Sequence, residues 1–543
     1  MPAVEKIAIS SKINRERGKP VTHYTCVKLL VVHNHFRPGG VRRVIELATP
    51  HLLRAAKPGF DEVVLVGGEA PDEAWWRRFA GQAAPARATG AFDRSLGYWS
   101  ERRARPDAMR RRIRNLLESL IPAGRECVVW AHNQSLGRNL ILTQELQRLC
   151  AERRVKLVLH HHDWWFDNRW QRWPEMRAAG FRTLKTVAQV ILGTPPNVRH
   201  ATINRRDSRI LEAQIRKQAG WLPNPTDTGA AASRQDTRRA RQWLAAKLDD
   251  DAPVWLLPCR LLRRKNVAEA LLITRWLRPE SWLVSTGGTS SAEEEAYASV
   301  LDQTARQQGW RLRLSILAGS EERTPRVSEL LAASEAVLLT SLQEGFGLPY
   351  LEAAAARRPL IARALPNIMP DLRRFGFRFP HTYDELMVAP SLFDWKKERG
   401  RQERLFSAWL RRIPANRRRL AGVPELLAGD RAPLPFSRLT LTAQLEVLSR
   451  PVEESWEACA RLNPFFVAWR QLAGEGRLAS VNWPAKATQY LSGEAYARRW
   501  NRLLATQNAR PEGDGVALAA QDQFIRERLM AANLFPLTWN TRT

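Results

Sequence analysis

Two carboxylates flank a glycine-rich turn in residues 340–356, which read TSLQEGFGLPYLEAAAA. Glu344 and Glu352 have seven residues between them, and a carboxylate accepts hydrogen bonds strongly from neighbouring hydroxyl groups. Gly345 and Gly347 let a ligand approach bare backbone, and the helix expected to follow would offer unpaired N–H groups to an anion. The pattern therefore predicts a site for an anionic or oxygen-rich ligand. The alternative is an ordinary helix start with a solvated glutamate and a satisfied cap.

A second group of charges, Arg260 and Lys265, follows an apolar run in the segment CRLLRRKNVAEALL. A guanidinium fork and an ammonium suit an anionic ligand such as a phosphate group. We therefore predict that both residues bind phosphate. The alternative is two exposed bases in an arginine-rich protein, and the neighbouring Arg263 and Arg264 weaken an argument from charge alone.

Histidines and aromatic residues are concentrated in residues 160–170, HHHDWWFDNRW. On a strand, His160 and His162 would point to one face and could share a metal, but no third ligand is evident and no metal site is predicted. The side chains of Trp164 and Trp165 could stack on the ring faces of a ligand. A packed aromatic loop explains these tryptophans equally well.

A glycine turn at Gly39 and Gly40 follows the first apolar run, in HNHFRPGGVRRVIELA. Such a turn at a helix start lets backbone N–H groups donate hydrogen bonds to a phosphate or to another oxygen of a ligand. By itself the pair indicates only a turn. For the neighbouring His33 and His35, a buried packing role and a substrate contact both remain open.

The elements expected to position these residues form two successive parallel sheets. Short Val- and Leu-rich runs without alternation are typical of buried parallel strands, and helical stretches separate them. The runs occupy residues 27–34, 61–68, 126–133, 155–163 and 188–194 in the first half, and 253–260, 281–288, 312–319, 336–340 and 359–363 in the second. Ligands of such sheets bind at the carboxyl ends of the strands, where each motif above falls.

The overall composition limits the class of protein. A chain of 543 residues is expected to hold two cores, and 44% hydrophobic with 26% charged residues describes a soluble globular protein. The sequence has no apolar run of ~18 residues, so no membrane-spanning helix is predicted. No secretory signal is recognised, and the five cysteines are scattered, as expected of free thiols in a reducing cytoplasm. The net charge of +30 favours anionic partners, with an anionic membrane surface as one candidate. No familiar nucleic-acid-binding motif occurs, so no dedicated nucleic-acid site is predicted.

These segments together resemble the retaining glycosyltransferases of family four, which have the GT-B fold. The resemblance lies in the Glu-x7-Glu pattern of residues 340–356, in Arg-x4-Lys at Arg260 and Lys265, and in the first strand, glycine turn and helix. It covers pieces of residues 27–365. It implies an α/β fold of two Rossmann-like domains whose parallel sheets face across a cleft, plus a mainly helical C-terminal elaboration. One departure is Asn266, where the family often has glycine.

The resemblance also implies roles for individual residues. Those assigned to catalysis are Glu344, Arg260, Lys265 and His162. Those assigned to the donor are Glu352, which would hold the ribose, and Gly345, Phe346, Gly347, Leu348, Gly39 and Gly40. Those assigned to the acceptor are Asp163, Trp164 and Trp165. The family mechanism is a front-face displacement in which the leaving phosphate takes the acceptor's proton, without a metal or other cofactor.

The same resemblance, with a Pro-, Asn-, Gly- and Ser-rich hinge near 222–235, gives six segments. The first three are an N-terminal tail (1–26), an acceptor-side Rossmann-like domain (27–228) and a linker (229–251). The next two are a donor-binding Rossmann-like domain (252–400) and a helical elaboration of unknown role (401–490). The last (491–543) is a closing helix that crosses back to the first domain, followed by a tail.

The sequence thus predicts a cytoplasmic, metal-independent retaining hexosyltransferase, with attachment to the inner face of a membrane as an option. The donor is a nucleotide sugar, and the acceptor is a sugar, a polyol or a lipid-linked sugar. One alternative is a non-catalytic GT-B scaffold that binds a polymer or a partner. Another is a GT-B epimerase or phosphorylase. The presence of both acids and both bases favours the transferase.

Overall fold

The computed structural model describes residues 27–56, 59–101, 105–122, 127–226, 232–289, 291–319, 324–506 and 515–539. These residues divide into two units, one within Met1–Asp227 and Thr488–Arg526, the other within Thr228–Ala487 and Glu527–Thr543. The predicted tail at 1–26 and residues 227–231 of the predicted hinge lie outside the described residues. None of the helices among the described residues has the length and apolar character that a bilayer span requires.

The first unit is built on a seven-stranded parallel sheet. Its strands are β1 (Lys28–Val32), β2 (Glu62–Gly67), β3 (Arg87–Phe92), β4 (Cys127–His132), β5 (Lys156–His161), β6 (Val198–Thr202) and β7 (Ala219–Trp221). Its first helices are α1 (Gly40–Ala55), α2 (Glu73–Ala83), α3 (Pro106–Leu120), α4 (Leu140–Glu152), α5 (Arg172–Ala178), α6 (Leu184–Leu192) and α7 (Arg205–Ile215). The strand order is β3-β2-β1-β4-β5-β6-β7. The central strands are buried on both faces, as their unalternating apolar sequences predict.

The second unit contains a six-stranded parallel sheet. Its strands are β8 (Val254–Arg260), β9 (Trp282–Gly287), β10 (Leu312–Arg313), β11 (Ala336–Leu339), β12 (Leu360–Arg363) and β13 (His381–Tyr383), and an antiparallel pair follows, β14 (Met387–Val388) and β15 (Leu434–Pro435). Its first helices are α8 (Arg234–Leu248), α9 (Val267–Leu277), α10 (Ala292–Gln307), α11 (Val327–Ala333), α12 (Leu348–Ala355) and α13 (Met369–Arg374). The order of the large sheet is β10-β9-β8-β11-β12-β13.

The region after the second sheet is mainly helical. Its helices are α14 (Trp395–Arg412), α15 (Glu425–Ala428), α16 (Leu441–Leu448), α17 (Val452–Ala460), α18 (Pro464–Gly474), α19 (Ala485–Leu491), α20 (Gly493–Ala505) and α21 (Val516–Arg528). Helices α16 to α18 pack on α9, where the indole N–H of Trp276 donates to the hydroxyl of Ser455 at 3.0 Å. These helices belong to the predicted helical elaboration at 401–490, and they extend the core of the second unit. The predicted fold class, two Rossmann-like domains with parallel sheets and a mainly helical C-terminal region, is confirmed.

One predicted strand is wrong. Residues 188–192 of the run predicted at 188–194 form the last part of helix α6, and not a strand. Leu184, Val187 and Ile191 are among the buried residues of this helix. A helix that is apolar on several sides cannot be distinguished from a buried strand by periodicity. The strand predicted at 312–319 is also much shorter in the structure, because only β10 pairs with the sheet.

Candidate functional site

The loops that carry Arg260 with Lys265 and Glu344 follow two neighbouring strands, at the point where the strand order of the second sheet reverses. From β8 the chain proceeds outward to β9 and β10, and it then returns to β11 on the other side of β8. A crevice forms at the carboxyl ends of two such neighbouring strands, and open α/β sheets bind ligands there. Arg260 is the last residue of β8, and Glu344 follows β11.

Hydrogen bonds between the two loops fix this arrangement. The hydroxyl of Thr340 donates to the carbonyl oxygens of Lys265 and Asn266, at 3.0 Å each. The backbone N–H of Leu342 donates to the carbonyl of Arg264 at 2.8 Å. Asn266 has a left-handed backbone with φ 49°, a conformation that asparagine tolerates better than most residues. This explains how Asn266 can stand where the resembling family often has glycine.

Glu344 is the centre of the charged cluster. Its carboxylate forms an ion pair with the ammonium of Lys265, accepts a hydrogen bond from the hydroxyl of Ser341 at 2.8 Å, and lies 3.6 Å from the guanidinium of Arg264. Burial by itself would raise the pKa of Glu344, but the charges of Lys265 and Arg264 and the hydrogen bonds outweigh burial and leave the pKa below its usual value. Glu344 is therefore an ionised acceptor at neutral pH.

Arg260 is the last residue of β8 and is exposed at the same end of the second sheet. Burial raises the pKa of the neighbouring Cys259 thiol to about 11. The structure thus brings Arg260, Lys265 and Glu344 to one end of the second sheet.

The turn after Glu344 begins helix α12. Gly347 has φ 81°, and a methyl group there would approach the Cγ2 atom of Ile368 to 2.8 Å. The side chain of Phe346 is buried, and Leu348 is half-buried. Gly345 is half-buried as well, and the backbone carbonyl of Glu344 before it accepts a hydrogen bond from Asn367 at 2.7 Å. Together these contacts fix the path of the turn.

Glu352 lies on the exposed face of α12. Its neighbours Leu351 and Ala353 are buried against the core of the second unit. The helix is therefore anchored on one side and presents the carboxylate on the other.

In the first unit, the glycine turn lies at the surface. Gly39 and Gly40 are exposed where α1 begins, and a methyl group on Gly40 would touch nothing within 4 Å. The backbone of Gly39 is extended, with φ 165°. Neither position needs glycine for the fold shown, so their predicted contact with the donor stays a prediction. The neighbouring His33 is buried and His35 is half-buried.

The residues predicted to face the acceptor are partly or wholly buried. Trp164 is 1% exposed and donates its indole N–H to Asp207 at 2.9 Å, and Trp165 is fully buried. This matches the packed aromatic loop rather than free stacking faces. Asp163 is half-buried, and Asn133 and Arg169 both donate to its carboxylate at 3.3 Å.

His162 lies in a group of buried imidazoles. Its Nε2 is 3.0 Å from the Nδ1 of His132, and burial lowers the pKa of His162 to about 4 although Asp163 opposes this effect. His162 is therefore neutral at pH 7.

Sequence reasoning did not assign three residues that contact the predicted site residues. Arg264 and Ser341 bind Glu344, and His132 binds His162. A comparison of the residues that end neighbouring strands would have found His132, since β4 and β5 pair in register with His132 opposite His160. Ser341 carried no such signal, because hydroxyls are common in loops.

Known proteins resemble part of the chain. Residues 244–374 match the family model of glycosyl transferases group 1. A mannosylglucosyl-3-phosphoglycerate synthase of Petrotoga mobilis is 25% identical over 295 residues, 53% of this chain and 55% of that protein. A mannosylglucosylglycerate synthase of Thermotoga maritima is 25% identical over 241 residues, 41% of this chain and 54% of that protein. The chain spans about half the length of these curated relatives.

Among solved structures, HepE of Anabaena in complex with UDP-glucose is 16% identical and has a TM-score of 0.42, over 63% of this chain and 82% of that chain. The family match is the more informative comparison, because residues 244–374 include Arg260, Lys265, Glu344 and Glu352. The family model and the curated relatives support a glycosyltransferase.

Proposed function

We propose that the chain is a retaining hexosyltransferase that moves a sugar from a nucleotide-sugar donor to a hydroxyl-bearing acceptor. The observation that carries this proposal is the ion pair of Lys265 and Glu344 at the strand-order reversal of the second sheet, with Arg260 at the end of the adjoining strand β8. Two cations and an oriented carboxylate suit a ligand that carries both a diphosphate and hydroxyl groups.

Each charged side chain has a distinct role in this proposal. Arg260 and Lys265 bind the diphosphate, and the ion pair with Glu344 holds the Lys265 ammonium in place before the donor arrives. Glu344, ionised at neutral pH, accepts hydrogen bonds from hydroxyls of the donor sugar. Glu352, exposed on α12, accepts two hydrogen bonds from the ribose hydroxyls.

The proposed reaction retains the configuration of the sugar. The acceptor oxygen bonds to the anomeric carbon on the face from which the diphosphate leaves, and the bond between that carbon and the phosphate oxygen breaks. The acceptor proton passes to an oxygen of the departing phosphate. Arg260 and Lys265 stabilise the negative charge that develops on the leaving group, so they act mainly on the transition state.

The curated relatives suggest which acceptors to test first. Their names describe synthases of mannosylglucosylglycerate and of its 3-phospho form. We therefore propose glycosides of glycerate and 3-phosphoglycerate as the first acceptors, followed by polyols and lipid-linked sugars. The net charge of +30 favours acceptors that carry a negative charge.

A donor panel tests the proposal. UDP, GDP and ADP sugars are titrated calorimetrically into the wild-type protein and Glu352→Ala, and nucleotide release is followed with each acceptor. We expect one donor to bind and Glu352→Ala to weaken it by about tenfold or more, because two hydrogen bonds to a charged group are lost. Unfolding should not change, since Glu352 is exposed.

Glu295→Ala is the matched control, because Glu295 is an exposed helical glutamate of the same unit outside the motif. Equal donor affinity in wild type and Glu352→Ala would refute the ribose role. Failure of every nucleotide sugar to bind would refute the transferase.

A further inference from the structure

The first sheet also reverses its strand order, between β1 and β4, and three imidazoles lie beside that point. His132 is the last residue of β4, and it pairs in register with His160 of β5. His162 follows β5 directly. Two adjacent strand ends therefore supply all three rings.

The three rings are close to one another and buried. One nitrogen from each ring can be chosen so that all three atoms lie within 4.8 Å of one another. His132 Nδ1 and His162 Nε2 are 3.0 Å apart. His132 and His160 are fully buried, and His162 is 8% exposed.

The cluster leaves polar atoms without partners. Among the described residues, His132 Nε2 and both ring nitrogens of His160 have no hydrogen-bond partner. A buried polar atom left in this state costs about 1–3 kcal/mol. Two of the three rings therefore carry buried nitrogens that a bound ion could satisfy.

Imidazole is the commonest protein ligand of transition metals. Three imidazoles from two adjacent strand ends match the nitrogen ligands of a three-histidine site.

We propose that His132, His160 and His162 bind one divalent transition-metal ion, for which Zn²⁺ is the natural candidate with three imidazole ligands. Zinc–nitrogen bonds of about 2.0–2.1 Å place the nitrogens of a tetrahedral site roughly 3.3 Å apart. The 3.0 Å pair is already near that separation, and all three rings offer a nitrogen within 4.8 Å of the other two. The fourth position is left to solvent or a substrate oxygen.

This proposal revises two expectations from the sequence. The third ligand that the HHHDWW run lacked is His132, from the neighbouring strand. His162 becomes a metal ligand, where the resemblance assigned it to catalysis. The middle histidine of the run, His161, is excluded because its Nε2 lies 3.0 Å from the Nδ1 of His200.

Metal analysis of the purified protein tests the site. Full-length protein without a polyhistidine tag is purified, incubated with Zn²⁺, passed through a desalting column and measured by plasma mass spectrometry. We expect about one zinc per chain in the wild type and less than about one tenth of that in His160→Gln. The matched control His161→Gln, which changes an equally buried neighbour outside the cluster, should retain its zinc. Wild-type protein without bound zinc, or His160→Gln with a full equivalent, would overturn the proposal.

A measurement on the wild type alone covers the case in which both variants lose zinc through misfolding. X-ray absorption of the zinc-loaded protein should show three imidazole nitrogens at about 2.0 Å. A different ligand set would overturn the site. The donor panel varies only Glu352, which belongs to the second unit, so failure of the metal site and failure of the donor panel are distinguishable.

Discussion

At the scale of single residues, Glu344 illustrates how neighbouring charges outweigh burial. A carboxylate with a 13% exposed side chain would normally resist ionisation. Lys265 and Arg264 reverse that tendency, so the charged form is the stable one. The contacts that would orient the carboxylate toward a sugar also make the stability of the loop depend on the charge of Glu344.

A pH series of unfolding measures this dependence. Because the folded-state pKa of Glu344 lies below its unfolded value of about 4.3, the ion pair stabilises the protein above that pH and loses its effect as the pH falls through the folded pKa. Glu344→Gln should cost about 2 kcal/mol at pH 7, since it leaves Lys265 buried without its partner. The difference from wild type should shrink below about pH 4.

Urea unfolding of both proteins from pH 3 to pH 7 gives the comparison. The exposed Glu295→Gln is the control and should change the free energy of unfolding little at any pH. A difference between wild type and Glu344→Gln that does not vary with pH would contradict the assigned role of the charge.

At the scale of elements, helix α12 depends on how it starts. Gly347 combines a left-handed backbone with a close approach to Ile368, and the preceding loop is tied to the loop after β8. The start of the helix is therefore fixed from two directions. This rigidity would hold the Phe346–Leu348 backbone in one geometry for a donor.

Gly347→Ala tests the two constraints on that start. A left-handed alanine costs about 1–2 kcal/mol, and the contact with Ile368 should add about 1 kcal/mol or more. Gly309→Ala is the matched control, because Gly309 has φ 64° with open space around it and should show only the backbone cost. Urea unfolding followed by circular dichroism compares them. Equal losses of stability would show that Ile368 can move aside.

At the scale of the whole molecule, the chain returns to the first unit after completing most of the second. Helix α20 packs against α1, and Trp500 lies fully buried with its ring 5.4 Å from that of Trp130 on β4. Lys156 donates to the carbonyl of Leu504 at 2.8 Å. The core of the first unit is therefore incomplete without residues far along the sequence.

Trp500→Ala should loosen the first unit selectively. Loss of this indole is expected to cost about 3–5 kcal/mol. Hydrogen exchange measured by mass spectrometry should accelerate in peptides of β1 and β4 and remain unchanged in β8 and β11. Trp276→Ala, which removes a buried indole from the second unit, should give the opposite pattern. Uniform acceleration in both units would contradict separate cores.

The sequence by itself determined the features that depend on neighbouring residues. Runs such as KLLVV and VWLLP predict buried parallel strands because no polar residue interrupts them, and β1 and β8 form there. The spacing of Glu344 and Glu352 identified the candidate donor site, since that pattern is contained in one strand, turn and helix. The polar strand β3, RATGAF, was missed because an edge strand carries no such apolar signal.

Only the tertiary structure decided what depends on strand order and burial. It placed Arg264 and Ser341 on Glu344, His132 beside His162, and α20 in the first unit. It also buried Trp164 and turned the apolar run at 188–194 into a helix. Such contacts join residues far apart in sequence, and their partners are chosen by how sheets and helices pack, which no local pattern records.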